Sequence, residues 1–293
     1  NGPLDISGQT LGITHAIAGT PMDLVGDPAS SLVVTGTGSG IVIPASLPTL
    51  ANLTIDNPYG AAIAAPLAIG NLLALTDGVL DAGGWVVVID PAASVARATG
   101  HVSGALQKTV PVGSAVSVFF EIGDATTYAP LTLTFGTVST SGALTASTTG
   151  SEHPSIGSSV IDPTADVNRW WSVSNAGAVF DTVDAVFSWA PPDVDAGADP
   201  NAFVVAKWDG SWVLPISTGQ MPTSITAMGM TGFSEFAVGE IQPEADGLPD
   251  TAGPASRGGM DVGLRGLIVS AILLGLIAIV VVLRPRPETT PEG

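Results

Sequence analysis

Three closely spaced aspartates are the residues of this chain whose type and spacing best suit a chemical role. Asp193, Asp195 and Asp199 alternate with small residues, and Gly197 between them allows a sharp bend. Calcium prefers carboxylate and carbonyl oxygens, and calcium loops begin with this kind of pattern. The twelfth position of such a loop, where a glutamate is expected, is Val204, so a backbone carbonyl or a distant acid would have to complete the site. The sequence predicts calcium at the three aspartates, with a solvated acidic turn as the alternative.

The remaining residue types do not form a catalytic arrangement. The chain has no cysteine, which excludes disulfides, thiol catalysis and zinc–thiolate sites. His15, His101 and His153 have no metal-ligand spacing to one another. His153 lies between Ser151 and Ser155, but neighbouring positions in a loop do not assemble a nucleophile, a base and an orienting group. We therefore predict a polar loop at this point and a protein that is not an enzyme.

A glycine-rich segment follows an early strand, as phosphate-binding loops do. Residues 36–40 read Gly-Thr-Gly-Ser-Gly, without the lysine of a P-loop. Ile41-Val42-Ile43 then resumes a strand, where a dinucleotide site would begin a helix. The segment is predicted to be a hairpin turn.

The elements around these residues are predicted to be strands. Glycine and proline are abundant and penalise helix interiors by about 1 and 3 kcal/mol each. Short apolar or alternating runs rich in β-branched residues end at Gly, Asn or Asp, which is typical of strands. Their close, fairly regular spacing predicts a β-solenoid over residues 1–104, in which each rung buries its apolar face on the next. The runs are 31–35, 41–44, 52–56, 67–71 and 85–89.

Residues 53–57 and 72–81 resemble the rungs of bacterial secreted, adhesin-like surface proteins, which read L-x-I-x-N and L-x-L-x-x-G-x-L. Residues 105–240 resemble a module that follows such rungs in the same proteins. The resemblance implies a β-sandwich with a structural role and no chemistry. In many relatives a secretion-sorting domain comes next, whereas here an apolar segment follows. The similar segments of the module are 120–130, 167–173, 203–212 and 232–240.

The tryptophans of this block indicate the same architecture. Trp170 and Trp171 are adjacent, so in a strand they point to opposite faces. One is expected in the core, and the other covers an edge or stacks on a sugar. Trp208 and Trp212 flank Asp209-Gly210, which predicts a type I′ hairpin turn.

The C-terminal part predicts a membrane anchor. Residues 262–283 contain an uncharged apolar run from Leu267 to Leu283, long enough to cross a bilayer as one helix. Residues 241–261 are predicted to be a flexible acidic stalk, and 284–293 a short tail. Within the stalk, Leu248, Pro249, Asp250, Thr251 and Ala252 resemble a sortase signal, which implies cleavage after Thr251; a chance match in a linker is the alternative.

The net charge of the chain bears on which partners it can bind. A net charge of −18 repels nucleic acid, so nucleic acid is not expected as a partner. Together the features predict an all-β protein of a short β-solenoid, an antiparallel β-sandwich and a single transmembrane helix. We expect a non-enzymatic cell-envelope protein with an extracellular N-terminal domain and a structural or adhesive role. The alternatives are a glycan- or calcium-binding recognition module, and a self-assembling envelope subunit such as a surface-layer or viral spike protein.

Overall fold

The computed structural model describes residues 3–16 and 24–242, and these residues form an all-β protein. The predicted stalk begins at residue 241, and its part from residue 243 on lies outside the described residues. The sortase-like pentapeptide at 248–252, the predicted helix at 262–283 and the predicted tail at 284–293 also lie outside them. Within the described residues, no helix is long and apolar enough to cross a bilayer.

The strands are β1 (Leu4–Asp5), β2 (Thr10–Ile13), β3 (Leu24–Val25), β4 (Ser31–Thr35), β5 (Val42–Ile43), β6 (Thr49–Asp56), β7 (Ala61–Ile63), β8 (Leu67–Asp77), β9 (Val79–Ile89), β10 (Ser94–Arg97), β11 (His101–Val110), β12 (Gly113–Ser114), β13 (Ser117–Phe120), β14 (Ile122–Gly123), β15 (Leu131–Phe135), β16 (Thr137–Thr140), β17 (Gly142–Thr149), β18 (Ile161–Ala176), β19 (Val179–Phe180), β20 (Val183–Ser188), β21 (Val204–Trp208), β22 (Trp212–Val213), β23 (Ile216–Met221), β24 (Ser224–Met230) and β25 (Glu235–Ile241). Short 3₁₀ helices cover Ile156–Ser158, Pro191–Asp193 and Pro200–Ala202.

The N-terminal half winds into a solenoid-like stack with three parallel ladders. The first ladder joins β2, β4, β6, the end of β8 and β10. The second joins β5, β7, the start of β9, the start of β11 and β14. The third joins the starts of β6 and β8 to the ends of β9 and β11. Each turn of the chain therefore adds one strand segment to each of three faces, as the predicted rungs require.

Equivalent apolar residues stack from turn to turn inside this solenoid. In the first ladder Leu32 pairs with Leu53, and Leu53 pairs with Leu73. All three side chains are fully buried. Because side chains alternate between the two faces of a strand, the polar residues between them face outward. The alternating runs in the sequence thus mark the inner face of each rung.

The third ladder continues without a break into the second half of the chain. β11 pairs in parallel with β9 on one side and antiparallel with β17 on the other. Beyond β17 the same sheet runs through β18, β25, β21 and β22, all antiparallel. The predicted boundary after residue 104 lies inside β11, so one strand belongs to both halves.

A second antiparallel sheet packs against this extension. Its strand order is β13-β15-β20-β24-β23. Trp171 of the first sheet contacts Phe187 of the second at 5.2 Å between ring centroids, and Phe187 contacts Phe236 at 5.0 Å. Trp171 is fully buried and donates its Nε1–H to the carbonyl of Ala129 at 3.2 Å. These rings form the centre of the contact between the two sheets.

Two predicted turns differ from the structure. β4 and β5, on either side of residues 36–40, pair with other rungs and not with each other, so the glycine-rich segment is a corner of the solenoid and not a hairpin. In the β21–β22 hairpin, Trp208 pairs with Trp212, which leaves a three-residue loop. Only Gly210 of that loop has a positive φ, whereas a type I′ turn needs two such residues.

At one corner of the solenoid the backbones of successive turns are in close contact. Gly78 has a φ of +82°, and a Cβ added there would overlap the carbonyl oxygen of Asn57 on the turn below. Asn57 is fully buried and donates its side-chain amide to the carbonyl of Gly38 at 2.8 Å. A Cβ on Gly100 would in turn crowd the carbonyl of Gly78. The turns meet here through the backbone, and only glycine fits.

Gly78→Ala is therefore expected to destabilise the fold much more than Gly40→Ala. Gly40 has a similar φ of +70° but no atom within 4 Å of an added Cβ. Gly40→Ala, the control, should lower the free energy of unfolding by only about 1 kcal/mol, because alanine disfavours a positive φ. In Gly78→Ala the steric overlap should lower it by about a further 2 kcal/mol or more. Denaturant unfolding of both variants measures the difference; equal losses would show that the corner is not tightly packed.

Candidate functional site

The candidate site begins at an irregularity in β18. This strand pairs with β25 through Ile161 and Ile241, Asp166 and Gly239, and Trp170 and Ala237. Between these pairs β18 has more residues than β25, so β18 bulges around Asp166. A bulge of this kind redirects a side chain that a regular strand would place elsewhere.

The bulge brings Asp166 against Asp195 in the loop before β21. The backbone N–H of Asp195 donates to the carbonyl of Asp166 at 3.0 Å, and the backbone N–H of Asp166 donates to Oδ2 of Asp195 at 3.2 Å. Val167 and Val194 form an isolated antiparallel bridge beside them. Asn168 donates its side-chain amide to Oδ1 of Asp195 at 2.7 Å. Four contacts thus fix two carboxylates of like charge next to each other.

Gly239 makes room for this arrangement on the opposite strand. It lies directly across from Asp166, and a Cβ added to it would overlap the Cβ of Asp166 and crowd Ile161. Any other residue at 239 would push Asp166 away from its position.

Glu152 supplies the third carboxylate from the loop between β17 and β18. One oxygen from each of Glu152, Asp166 and Asp195 lies within 4.8 Å of the other two. Asp166 is only 1% exposed, and among the described residues its Oδ1 has no hydrogen-bond donor. Both carboxylate oxygens of Glu152 are also inaccessible and without a partner. Buried oxygens normally find a donor, so this cluster is an exception that needs an explanation.

The electrostatics of the cluster oppose its full ionisation. Burial, followed by the negative charge of Glu152, raises the pKa of Asp166 from its ordinary value of 3.8 to about 8; Asp195 and Asp162 act in the same direction. Burial also raises the pKa of Glu152, a hydrogen bond from a protonated Asp166 carboxyl lowers it, and the charge of Asp195 raises it. Among the described residues, no lysine, arginine or histidine forms an ion pair with these three carboxylates. Either a proton or a cation must balance the charge.

His153 links the loop that carries Glu152 to β25. Its Nδ1 accepts the backbone N–H of Ser155 at 3.1 Å, so Nε2 carries the proton and donates to Oε2 of Glu235 at 2.8 Å. The imidazole is buried, contrary to the polar loop that the sequence predicts, because three indole rings surround it. The rings belong to Trp170, Trp208 and Trp212, with centroids 5.3, 6.0 and 4.9 Å from the imidazole.

The three aspartates predicted to bind calcium are not brought together as one set. Asp195 joins the cluster. Asp193 instead receives Nε of buried Arg169 at 3.0 Å, and the same guanidinium contacts Oδ2 of Asp124 at 2.6 Å. Asp199 begins the 3₁₀ helix Pro200–Ala202, where its Oδ1 accepts the backbone N–H of Asn201 at 3.0 Å. Calcium binding by all three aspartates stays a prediction, and the fold does not bring their carboxylates together.

Sequence reasoning did not connect Glu152 and Asp166 with Asp195. They come from separate segments, and neither is part of a local pattern of ligands. The nearest signal was Gly239, an isolated glycine in a strand, which often marks a bulge or a close approach.

Comparison of the chain with protein-family models, with curated proteins and with solved structures finds no match in any of the three. The resemblance to adhesin-like surface proteins therefore stays a prediction.

The carboxylate cluster predicts an unusual dependence of stability on pH when a chelator keeps divalent cations away. The folded state holds the Asp166 proton up to about pH 8, whereas the unfolded chain loses it near its ordinary value of 3.8. The stabilisation of the folded state by this proton is thus fully present at low pH, and it is lost as pH rises from about 4 to about 8. We expect Asp166→Asn to remove this fall, as measured by thermal unfolding over that range.

Asp199→Asn is the matched control, because it removes the same charge outside the cluster. It should keep the wild-type fall in stability. An identical pH dependence in wild-type protein and Asp166→Asn would contradict the assignment.

Proposed function

We propose that the chain is a non-enzymatic cell-surface protein with a structural or adhesive role. In this proposal the described domain lies outside the cell and residues 262–283 hold it to a bilayer. The fold then acts as a rigid support, and binding depends on its exposed edges and loops.

The observation that carries the proposal is the unbroken hydrogen-bonded sheet from β2 to β22. Parallel rungs and antiparallel strands share this sheet and one apolar core, in which Leu53 and Trp171 are both fully buried. A framework of this kind resists local opening, since each strand between the edges is paired on both sides. Resistance to opening suits a protein that bears load or withstands proteases outside the cell.

Charge and the C-terminal sequence also support this location. The net charge of −18 keeps an exposed protein soluble and repels nucleic acid. The chain has no cysteine, so packing and ions would have to supply the stability that disulfides give to many secreted proteins. The apolar run from Leu267 to Leu283 has the length of a membrane span, and Arg284 and Arg286 follow it.

The described domain also exposes apolar side chains at the edges of its sheets. The edge strands β22 and β23 expose Val213 and Ile216, and Leu214 between them is exposed as well. Exposed apolar side chains on unpaired edge strands favour contact with another molecule. In the proposal this edge serves adhesion to a protein ligand or assembly with further copies.

Charges placed in the middle of the apolar run test the proposal. Leu274→Arg combined with Ile277→Arg should prevent insertion, because each arginine at the centre of a span costs about 3 kcal/mol. The expected result in the native cells is release of the domain into the medium, whereas the wild-type chain stays with the membrane fraction. Antibodies against residues 24–242 should label intact cells that make the wild-type protein.

The control is Leu274→Val with Ile277→Val, which keeps the run apolar and should stay with the membranes. Labelling that appears only after permeabilisation, or an arginine variant that fractionates like the valine control, would contradict the proposal.

A further inference from the structure

We propose that Glu152, Asp166 and Asp195 bind one calcium ion, which ties the loop before β18 and the loop before β21 to the bulge of β18. Only Asp195 is shared with the aspartate run that first suggested calcium. The inference is independent of the cellular location proposed above.

The first argument is the convergence of the oxygens. Ligand atoms of the three carboxylates lie within 4.8 Å of one another, so one ion can contact all three. They come from three segments, and each position is fixed separately. The imidazole of His153 anchors the Glu152 loop, the bulge directs Asp166, and Asn168 holds Oδ1 of Asp195 at 2.7 Å.

Buried carboxylate oxygens without a donor point to a cation independently of the clustering. The Asp166 side chain is almost completely buried, yet its Oδ1 receives no hydrogen bond. Oε1 and Oε2 of Glu152 are equally buried and equally without a donor. An ionised carboxylate out of water is costly unless it is paired or coordinates a metal. The other buried acid among the described residues, Glu121, follows this rule, since it accepts a hydrogen bond from Nζ of Lys108 at 2.6 Å.

The basic side chain near the cluster already forms ion pairs with other carboxylates. Arg169 lies one strand position away from Asn168, but its guanidinium is held by Asp124 and Asp193. Among the residues that the structure describes, no other basic group forms an ion pair with the cluster. A cation from solution would be the partner that the described residues do not provide.

The donor set favours calcium over magnesium and over transition metals. All three side chains offer oxygen and none offers nitrogen or sulfur, which suits a hard cation. Calcium accepts several protein oxygens in irregular geometry, whereas magnesium keeps most of its water shell. An enclosed group of three carboxylates therefore fits calcium, with backbone carbonyls or water completing the coordination.

Calcium titration of the full chain in detergent tests the proposal. The protein is first stripped with a chelator, and CaCl₂ or MgCl₂ is then added in an isothermal titration calorimeter. We expect one calcium ion per chain at this site, and at least about tenfold weaker binding of magnesium. Asp166→Asn and Glu152→Gln should each weaken calcium binding by at least about tenfold.

Asp199→Asn is the control for the general attraction of an acidic chain for calcium. It has the same net charge as Asp166→Asn, but the carboxylate that it removes caps a 3₁₀ helix. This variant should bind calcium as the wild type does. Equal weakening in all three variants would mean that the ion binds only the diffuse surface charge, and would overturn the proposal.

Thermal unfolding separates loss of the site from loss of the fold. Without calcium, Asp166→Asn should melt at or above the wild-type temperature at neutral pH, because the variant avoids the free energy needed to protonate or bury an ionised Asp166 carboxylate. With calcium, the wild type should gain stability and the variant should not. A wild-type chain that neither binds calcium nor gains stability from it would show that a shared proton, and not an ion, neutralises the cluster.

Discussion

Three carboxylates held side by side, with Asp166 buried between two partly buried neighbours and no basic partner among the described residues, are the constraint on which this part of the sheet depends. Asp166 and Asp195 are locked together by reciprocal backbone hydrogen bonds, and Glu152 completes the group from a third segment. Repulsion within the group works against every contact that builds it. A proton or a cation that balances this charge therefore stabilises the bulge of β18 and the two loops that meet there.

The cluster lies on the sheet that joins the two halves of the molecule. β18 pairs with β17 on one side and with β25 on the other, and β17 pairs with β11, the last strand of the third parallel ladder. One face of the parallel stack is thus extended by antiparallel strands, and the stack does not end in an exposed ladder edge at that point. Because unpaired edges promote aggregation, this continuation also protects the rungs.

The rungs were predictable because their signal is local and repeated. The run 52–56 alternates polar and apolar residues, and the run 31–35 is a short apolar stretch between Ser31 and Thr35. Both form strands, and Leu32, Val34, Leu53 and Ile55 face the core. The corners were not predictable, since residues 36–40 have the composition of a hairpin turn, and only pairing with neighbouring rungs makes them a solenoid corner. The position of Gly78 likewise depends on Asn57, which belongs to the previous turn.

The candidate site was predicted only in Asp195. Asp193 has the same local sequence signal, but buried Arg169 binds its carboxylate, and this contact depends on the tertiary fold. Asp166 reaches the cluster through a bulge that is defined by pairing with β25, and Glu152 reaches it through a loop held by His153. These features arise from contacts between distant segments, which a single sequence does not display.

The most direct measurement of the central claim is a crystal structure of the protein grown with calcium, with anomalous data collected to identify the ion. The account predicts an anomalous peak between Glu152, Asp166 and Asp195, at calcium–oxygen distances of about 2.3–2.6 Å. A well-ordered cluster without a peak, in which Glu152 and Asp166 approach each other as a carboxyl–carboxylate pair, would contradict it.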